Sequence, residues 1–334
     1  MVVRVGLATI CGSDVHTVTG RRKGDVPGIL GHEITGEVLQ RGQDVRTDSI
    51  GQVLVEGDRV TWSIAASCGR CVFCRRYDLP QKCETLFKYG HAPCDAWPHF
   101  NGGFAEIVYV RPGTTVLRVP EGVSDEEVAP INCALATVMH AVEELSVTAG
   151  DRVVVLGAGT LGLYAAAVLS DRGCGEIVVV DVDENRLARA GQFGATRCLS
   201  RRTLGEEEVR KQVLAVTEGR GADAVLEVCG VAESVPAGLK LLRIGGRLVT
   251  VGLVFPHATI TLDGMQIVTR MLRIKGIHNY HGRHLIEAMR FVTEARGRYP
   301  FRELVTARFP LSEINTAFTA AQDRSNIRVA VVPE

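Results

Sequence analysis

DRVVVLGAGTLGLYAAAVLSDRG, residues 151–173, decides the fold class of this 334-residue chain. DRVVVLG reads as a continuous apolar strand, the kind buried on both faces of a parallel sheet. GAGTLG at 157–162 follows it, and a helix then runs to Gly173. Three spaced glycines alone could mark any tight turn in a chain with 36 of them. Their position between strand and helix gives them separate tasks: Gly157 permits the turn, Gly159 lets the backbone approach a pyrophosphate, and Gly162 lets helix and strand pack closely. The open amides of the helix N-terminus then meet the phosphates. Thr160 and Leu161 inside the loop join this cofactor-binding group, as do Val251 and Gly252 at the end of GGRLVTVG. Asp181 closes the next strand, EIVVVD, nineteen residues beyond Gly162. A carboxylate near that spacing bonds the ribose hydroxyls and repels a 2′-phosphate. The cofactor predicted is therefore NAD.

Further along, strand-like and helix-like segments alternate through ATRCLS, EEEVRKQVLAVTEG, ADAVLEVCG, ESVPAGLKLLR, GGRLVTVG and MLRIKGI. Repeated βα units demand right-handed crossovers and a doubly wound sheet, so this half is α/β. Before about residue 130 the rhythm differs. VVRVGLA, ITGEVLQ, DRVTW and FAEIVYV are short strands of a mainly β domain. The tail, from HLIEAMRFV to IRVAVVP, supplies two helices and a closing strand expected to return to that first domain.

Formal net charge is +0, which leaves no basic field for a nucleic-acid backbone. No apolar run reaches the ~18–20 residues of a membrane span, and Arg4 interrupts the opening apolar run where a signal peptide would need continuity. The expected location is cytoplasmic, where thiols stay reduced. Of ten cysteines, Cys68, Cys71, Cys74 and Cys83 fall within sixteen residues as C-x2-C-x2-C-x8-C. Four thiolates at such spacing can close a tetrahedral zinc site with no place for water, a structural site. His91 and Cys94 nearby are read as loop residues.

A second, catalytic zinc needs about three ligands and an open position. CGSDVHTVTG (11–20), GHEITGEV (31–38) and INCALATVMHAV (131–142) offer Cys11, His32 with the adjacent Glu33, and Cys133. Each alone is unremarkable, since a lone Cys behaves as a small buried hydrophobe. Beside a dinucleotide loop and a closed four-Cys lobe they point to chemistry.

Taken together, CGSDVH, GHEITGEV, the CxxCxxC lobe, GGFAE, the Cys133 segment and GAGTLG with Asp181 resemble the zinc-dependent medium-chain dehydrogenase/reductases over nearly the whole chain. The resemblance implies a GroES-like catalytic domain over 1–134 plus 279–334 and a Rossmann NAD-binding domain over 135–278. It implies two zinc ions per chain, with Cys11, His32 and Cys133 as catalytic-zinc ligands and Glu33 as the neighbouring acid. Ser13 and His16 would relay the alcohol proton, Thr137 would pack by the nicotinamide, and Arg186 would lie near the adenosine ribose. The substrate implied is a small alcohol or carbonyl compound, and the assembly a homodimer or homotetramer. Sorbitol- or threonine-type activity, or a non-catalytic nucleotide-binding protein on the same fold, are the rivals.

CVFCRRYDLPQKCETLFKYGHAPC, INCALATVM and IKGIHNYHGRHLIEAMRF further resemble alcohol dehydrogenases associated with phosphonate catabolism, which implies a hydroxyphosphonate substrate. His278, His281, Arg283 and His284 would then receive the anion, or else form a solvated basic turn. Family members carry a few tens of residues ahead of the strand matching VVRVGLA. Without that first hairpin, the opening strand is expected to expose an uncovered edge.

Overall fold

The computed structural model describes every residue except Phe255, His257 and Arg324. The chain divides into two units: Met1–Ala136 with Asn279–Glu334, and Thr137–His278.

In chain order, the first unit opens with β1 (Val2–Thr9), α1 (Gly12–Val18), β2 (Glu33–Gln40), β3 (Arg59–Ala66) and α2 (Val72–Arg75). It continues through β4 (Phe87–Lys88), β5 (Ile107–Tyr109), β6 (Thr114–Arg118), α3 (Asp125–Val128) and the start of α4 (Ala134–Leu145). The second unit holds β7 (Arg152–Leu156), α5 (Thr160–Asp171), β8 (Glu176–Asp181), α6 (Glu184–Ala190), β9 (Arg197–Ser200) and α7 (Arg201–Val216). β10 (Ala222–Glu227), α8 (Ser234–Leu241), β11 (Leu242–Thr250), α9 (Gly264–Thr269) and β12 (Arg273–Gly276) complete it. The chain returns to the first unit with α10 (Gly282–Glu294), β13 (Val305–Pro310), α11 (Ile314–Gln322) and β14 (Arg328–Val332).

The second unit is a six-stranded sheet in the order β12-β11-β10-β7-β8-β9, and every pairing is parallel. The strand order reverses beside β7, whose Val153, Val154 and Val155 are buried because helices cover both faces. The glycine loop follows β7 directly, at the carboxyl end where such sheets bind ligands. α7 begins earlier than its EEEV run suggests and is interrupted at Gly205, φ +73°.

The first unit wraps an eight-stranded sheet around Trp62, Tyr89, Ile34 and Val60. Here one expectation fails. β1 has no open edge, because β2 pairs along one side while β5 and β14 cover the other. Ala8 and Thr9 pair with Val331 and Ala330, so a strand from the far end of the chain takes the edge position. That pairing also sets Arg328, the first residue of β14, near the β1–β2 hairpin end. Among the described residues no helix is long and apolar enough to cross a membrane.

Candidate functional site

Three chain segments of the first unit converge on one point. Cys11 is the N-cap residue of α1, His32 immediately precedes β2, and Cys133 immediately precedes α4. One ligand atom from each, together with a Glu33 oxygen, lies within 4.8 Å of the others. Two thiols, an imidazole and a carboxylate suit zinc, which takes sulfur, nitrogen and oxygen donors in tetrahedral sites. The contact between the two thiols splits their acidities. Cys133 donating to it holds the Cys11 thiol well below its usual value, against burial. The same contact, reinforced by burial, raises Cys133.

The shell around these groups is as ordered as the groups themselves. Asp14 is fully buried on the first turn of α1. Its Oδ2 accepts the Cys11 N–H at 2.9 Å, and its Oδ1 faces His32 Nδ1 at 3.3 Å. Burial alone would lower the His32 pKa, but the Asp14 carboxylate draws it up to about 10. A proton held at Nδ1 leaves Nε2 as the coordinating nitrogen, the arrangement that carboxylate–histidine–metal triads use. Glu33 is also fully buried: Arg328 donates to Oε1 at 2.9 Å, and the Thr9 hydroxyl donates to Oε2. Burial pushes its carboxyl up to about 7 despite the pull of the guanidinium.

Ser13 and His16 stand three residues apart on α1, one face of one helical turn. Ser13 Oγ lies 3.4 Å from His32 Nε2, at the edge of the cluster. Burial, then the charge of Arg21, lowers the His16 pKa. On the opposite side, the His91 ring lies 4.9 Å from the His32 ring, tilted by 33°. Lys88 at the end of β4 donates to Asn279 Oδ1 at 3.3 Å. Burial lowers the Lys88 ammonium while the Cys133 thiolate would raise it.

A second sulfur cluster forms at Cys68, Cys71, Cys74 and Cys83, with all four sulfurs within 4.8 Å. Cys71 lies 3.5 Å from Cys74 and 3.9 Å from Cys83, sulfur to sulfur. A tetrahedron of ~2.3 Å Zn–S bonds has edges of about 3.8 Å, so the set fits zinc without rearrangement. The N–H groups of Cys68 and Cys71 point at Cys83 and Cys68 sulfurs, which favours thiolates.

In the second unit the glycine loop has the sterics its spacing implies. Gly157 has φ +115°, and a Cβ on Gly162 would stand 1.9 Å from the Gly157 carbonyl oxygen, so both must be glycine. Gly159 is the N-cap residue of α5 (Thr160–Asp171). Thr160 is buried and Leu161 half-buried. Asp181 accepts the N–H groups of Ala158, Val182 and Asp183 at 2.6, 2.7 and 2.9 Å, which pins its carboxylate beside the loop. Arg186, on α6, reaches 3.9 Å from the place of a Cβ on Gly159. Val251 donates its N–H to the Glu227 backbone carbonyl, while the wholly buried Glu227 carboxylate accepts from the Gly252 and Gly230 N–H groups and the Thr250 hydroxyl. Thr137 is buried on α4.

The chain matches the family description "Alcohol dehydrogenase GroES-like domain" over residues 1–121 and "Zinc-binding dehydrogenase" over residues 160–294. It is 33% identical to 5-exo-hydroxycamphor dehydrogenase of Pseudomonas putida, across 95% of this chain and 87% of that one. It belongs to the zinc-dependent alcohol dehydrogenases. The crystal structure of an alcohol dehydrogenase from Thermotoga maritima superposes on this dehydrogenase with a TM-score of 0.95 at 32% identity, covering 100% of this chain and 92% of that one. A zinc-binding dehydrogenase from Sinorhizobium meliloti, solved bound to NADP, superposes at 0.85 with 26% identity over 100% and 92% of the two chains. This dehydrogenase is thus an oxidoreductase of alcohols, with a GroES-like and a Rossmann-like domain, built for zinc and a nicotinamide cofactor.

Four residues escaped the sequence reading: Asp14, Arg328 and Lys88 in the first unit, and Glu227 in the second. Asp14 carried a signal, as an acid inside the CGSDVH cluster; the others carried none. The basic residues 278–284 fare differently from the reading that gave them an anion. His281 and Arg283 face Asp78 at 3.3 and 3.2 Å, and His281 caps α10 by accepting the Arg283 N–H. His284 is wholly buried, its Nδ1 accepting the His281 N–H.

Proposed function

We propose that this protein oxidises a small alcohol to its aldehyde or ketone with NAD as hydride acceptor, holding two zinc ions per chain. The convergence of Cys11, His32 and Cys133, with Asp14 fixing His32, is the observation that supports it. A zinc held by those three residues supplies a Lewis acid that lowers the pKa of an alcohol oxygen, as it lowers that of water from 15.7 to about 7. Cys68, Cys71, Cys74 and Cys83 hold the second, structural ion.

Ser13 takes the alcohol proton, and His16 passes it to solvent. A lowered His16 pKa keeps the ring neutral, and so able to accept, below the ordinary histidine range. Asp14 holds the His32 tautomer. Glu33 is neutralised by Arg328, so it shapes the field at the cluster without adding a bare charge. In the other unit, Gly157, Gly159 and Gly162 admit the pyrophosphate, with Thr160, Leu161 and Arg186 around it and Val251–Gly252 beyond. Asp181 accepts the ribose hydroxyls and opposes a 2′-phosphate. Thr137 packs by the nicotinamide.

The test is a zinc count joined to reduction of NAD and of NADP over a panel of simple, polyol, amino and anionic alcohols. Two zincs and NAD-linked oxidation are expected. One zinc or none in the wild type refutes the catalytic assignment, and oxidation confined to polyols or amino alcohols gives the sorbitol- or threonine-type rival. A hydroxyphosphonate is the finer substrate proposal; of the basic residues after β12, His281 and Arg283 face Asp78 and His284 is buried at the start of α10.

A further inference from the structure

Two of the three candidate metal ligands share one anchor. Asp14 holds Cys11 through its N–H and faces His32 at Nδ1. The third, Cys133, lies between the short turn Ala129–Asn132 and α4, with φ −123° and ψ −67°. Those angles belong to neither a helix nor a strand. No regular hydrogen-bond ladder therefore sets the direction of its side chain, and the residue before it has to do so.

That residue, Asn132, is wholly buried and fastened at two points. Its Nδ2 donates to the Trp62 carbonyl of β3 at 2.8 Å. Its own carbonyl oxygen accepts the hydroxyl of Tyr280, a buried side chain 148 positions away. The Tyr280 oxygen accepts the Ile64 N–H, also of β3, at 3.1 Å, so the hydroxyl both donates and accepts. Tyr280 follows Asn279, where the chain re-enters the first unit, and Cys133 shortly precedes Thr137, where the chain leaves it. The network thus joins the incoming segment, the outgoing segment and β3, all within that unit. The oxygen it holds lies in the rigid peptide plane that carries the Cys133 N–H. With that plane and the Asn132 side chain both fixed, Cys133 can present its sulfur in few directions.

We propose that Tyr280 is a positioning residue of the catalytic metal site: its hydroxyl, acting through the Asn132 carbonyl, sets where Cys133 presents its sulfur. The inference rests on the zinc dehydrogenase reading above. Asp14 then orients two protein ligands and Tyr280 the third, so every ligand has a partner outside the set. A phenylalanine at this position keeps the ring and removes one oxygen. The Asn132 carbonyl and the Ile64 N–H are then buried without that partner, a cost the chain relieves by turning the 132–133 peptide and Cys133 with it.

The test uses the full zinc-loaded chain and two readouts, zinc release to a graded chelator and the visible absorption of cobalt loaded in place of zinc. Loss of an outer-shell partner weakens metal binding about 10–100-fold. In Tyr280→Phe the release step of the Cys11, His32 and Cys133 site should move by that factor, the four-cysteine step should stay in place, and the thiolate-to-cobalt bands should shift. Asn132→Ala removes the second fastening of the same residue and should move the same step. Tyr89→Phe is the comparison. Tyr89 is wholly buried in the same unit, and its hydroxyl bonds the Thr114 hydroxyl and accepts the Arg111 N–H, each at 2.8 Å, with no ligand beside either. It should lower stability in denaturant unfolding and move neither zinc step. If Tyr280→Phe and Asn132→Ala leave both steps and the cobalt bands as in wild type, the proposal is overturned. It is equally overturned if Tyr89→Phe moves the catalytic step as far. A wild type that releases zinc in a single step overturns the dehydrogenase reading itself, and the proposal falls with it.

Discussion

Asp14→Asn tests whether the cluster at Cys11, His32 and Cys133 holds a metal. The carboxylate has no exposure to solvent and serves two donors, the Cys11 N–H through Oδ2 and the His32 Nδ1 side through Oδ1. An amide has one acceptor oxygen, so it can serve only one of them. With the oxygen kept on Cys11, the NH₂ faces Nδ1, which must then accept. The imidazole proton moves to Nε2, the nitrogen that lies 3.4 Å from Ser13 Oγ and would bind the metal. With the amide reversed, its NH₂ opposes the Cys11 N–H, and the residue carrying the ligand sulfur loses its anchor. Either way one ligand is misoriented while volume and backbone stay unchanged. Loss of an outer-shell partner of this kind weakens metal binding about 10–100-fold, or roughly 1.4–2.8 kcal/mol. Zinc release to a graded chromophoric chelator should occur in two steps in the wild type. In Asp14→Asn the weaker step should move by that factor while the four-cysteine step stays in place. Two unmoved steps, or two steps moved together, would refute the reasoning.

Arg328→Met removes the guanidinium that draws the Glu33 carboxyl down, and since burial already holds that group up to about 7, the loss of stability in denaturant unfolding should be small below neutral pH and grow as pH rises; adding Glu33→Gln should remove that pH dependence, and a loss that is the same at acid and alkaline pH would refute the pairing. Asp181→Ser should narrow the preference for NAD over NADP in paired kinetics, since it removes the charge that opposes a 2′-phosphate; an unchanged ratio would move the selection to another residue. Ser13→Ala should reduce turnover about 10²–10⁴-fold with zinc and NAD still bound. His16→Ala should lose less. The His16 pKa is lowered by burial and by Arg21, so its ring stays neutral to lower pH than an ordinary histidine's and its absence should be felt most at the acid end, with added imidazole recovering part of the rate. Turnover unchanged in both variants across pH would end the relay.

What the sequence made legible was whatever operates at short, fixed spacing. The glycine loop is one strand-to-helix turn, and each glycine answers to a contact within a few residues of itself, as Gly162 does to the Gly157 carbonyl. The four-cysteine lobe closes within sixteen residues for the same reason. The register of β1 was not legible, because its second edge is taken by β14, a strand that only tertiary pairing brings there.

The charges around the site were hidden by the same distance. A buried carboxylate such as Glu33 must find a cation, but the chain offers 38 lysines and arginines and the spacing favours none of them. Topology makes the choice, by starting β14 at Arg328 beside the β1–β2 edge, 295 positions from Glu33. It also gives Arg283 a carboxylate that the spacing does not indicate, Asp78, 205 positions away. His91 shows the converse. Nothing in LFKYGH sets that ring apart from a loop histidine, and only the fold, by packing Gly90 against Gly31, brings it 4.9 Å from the His32 ring.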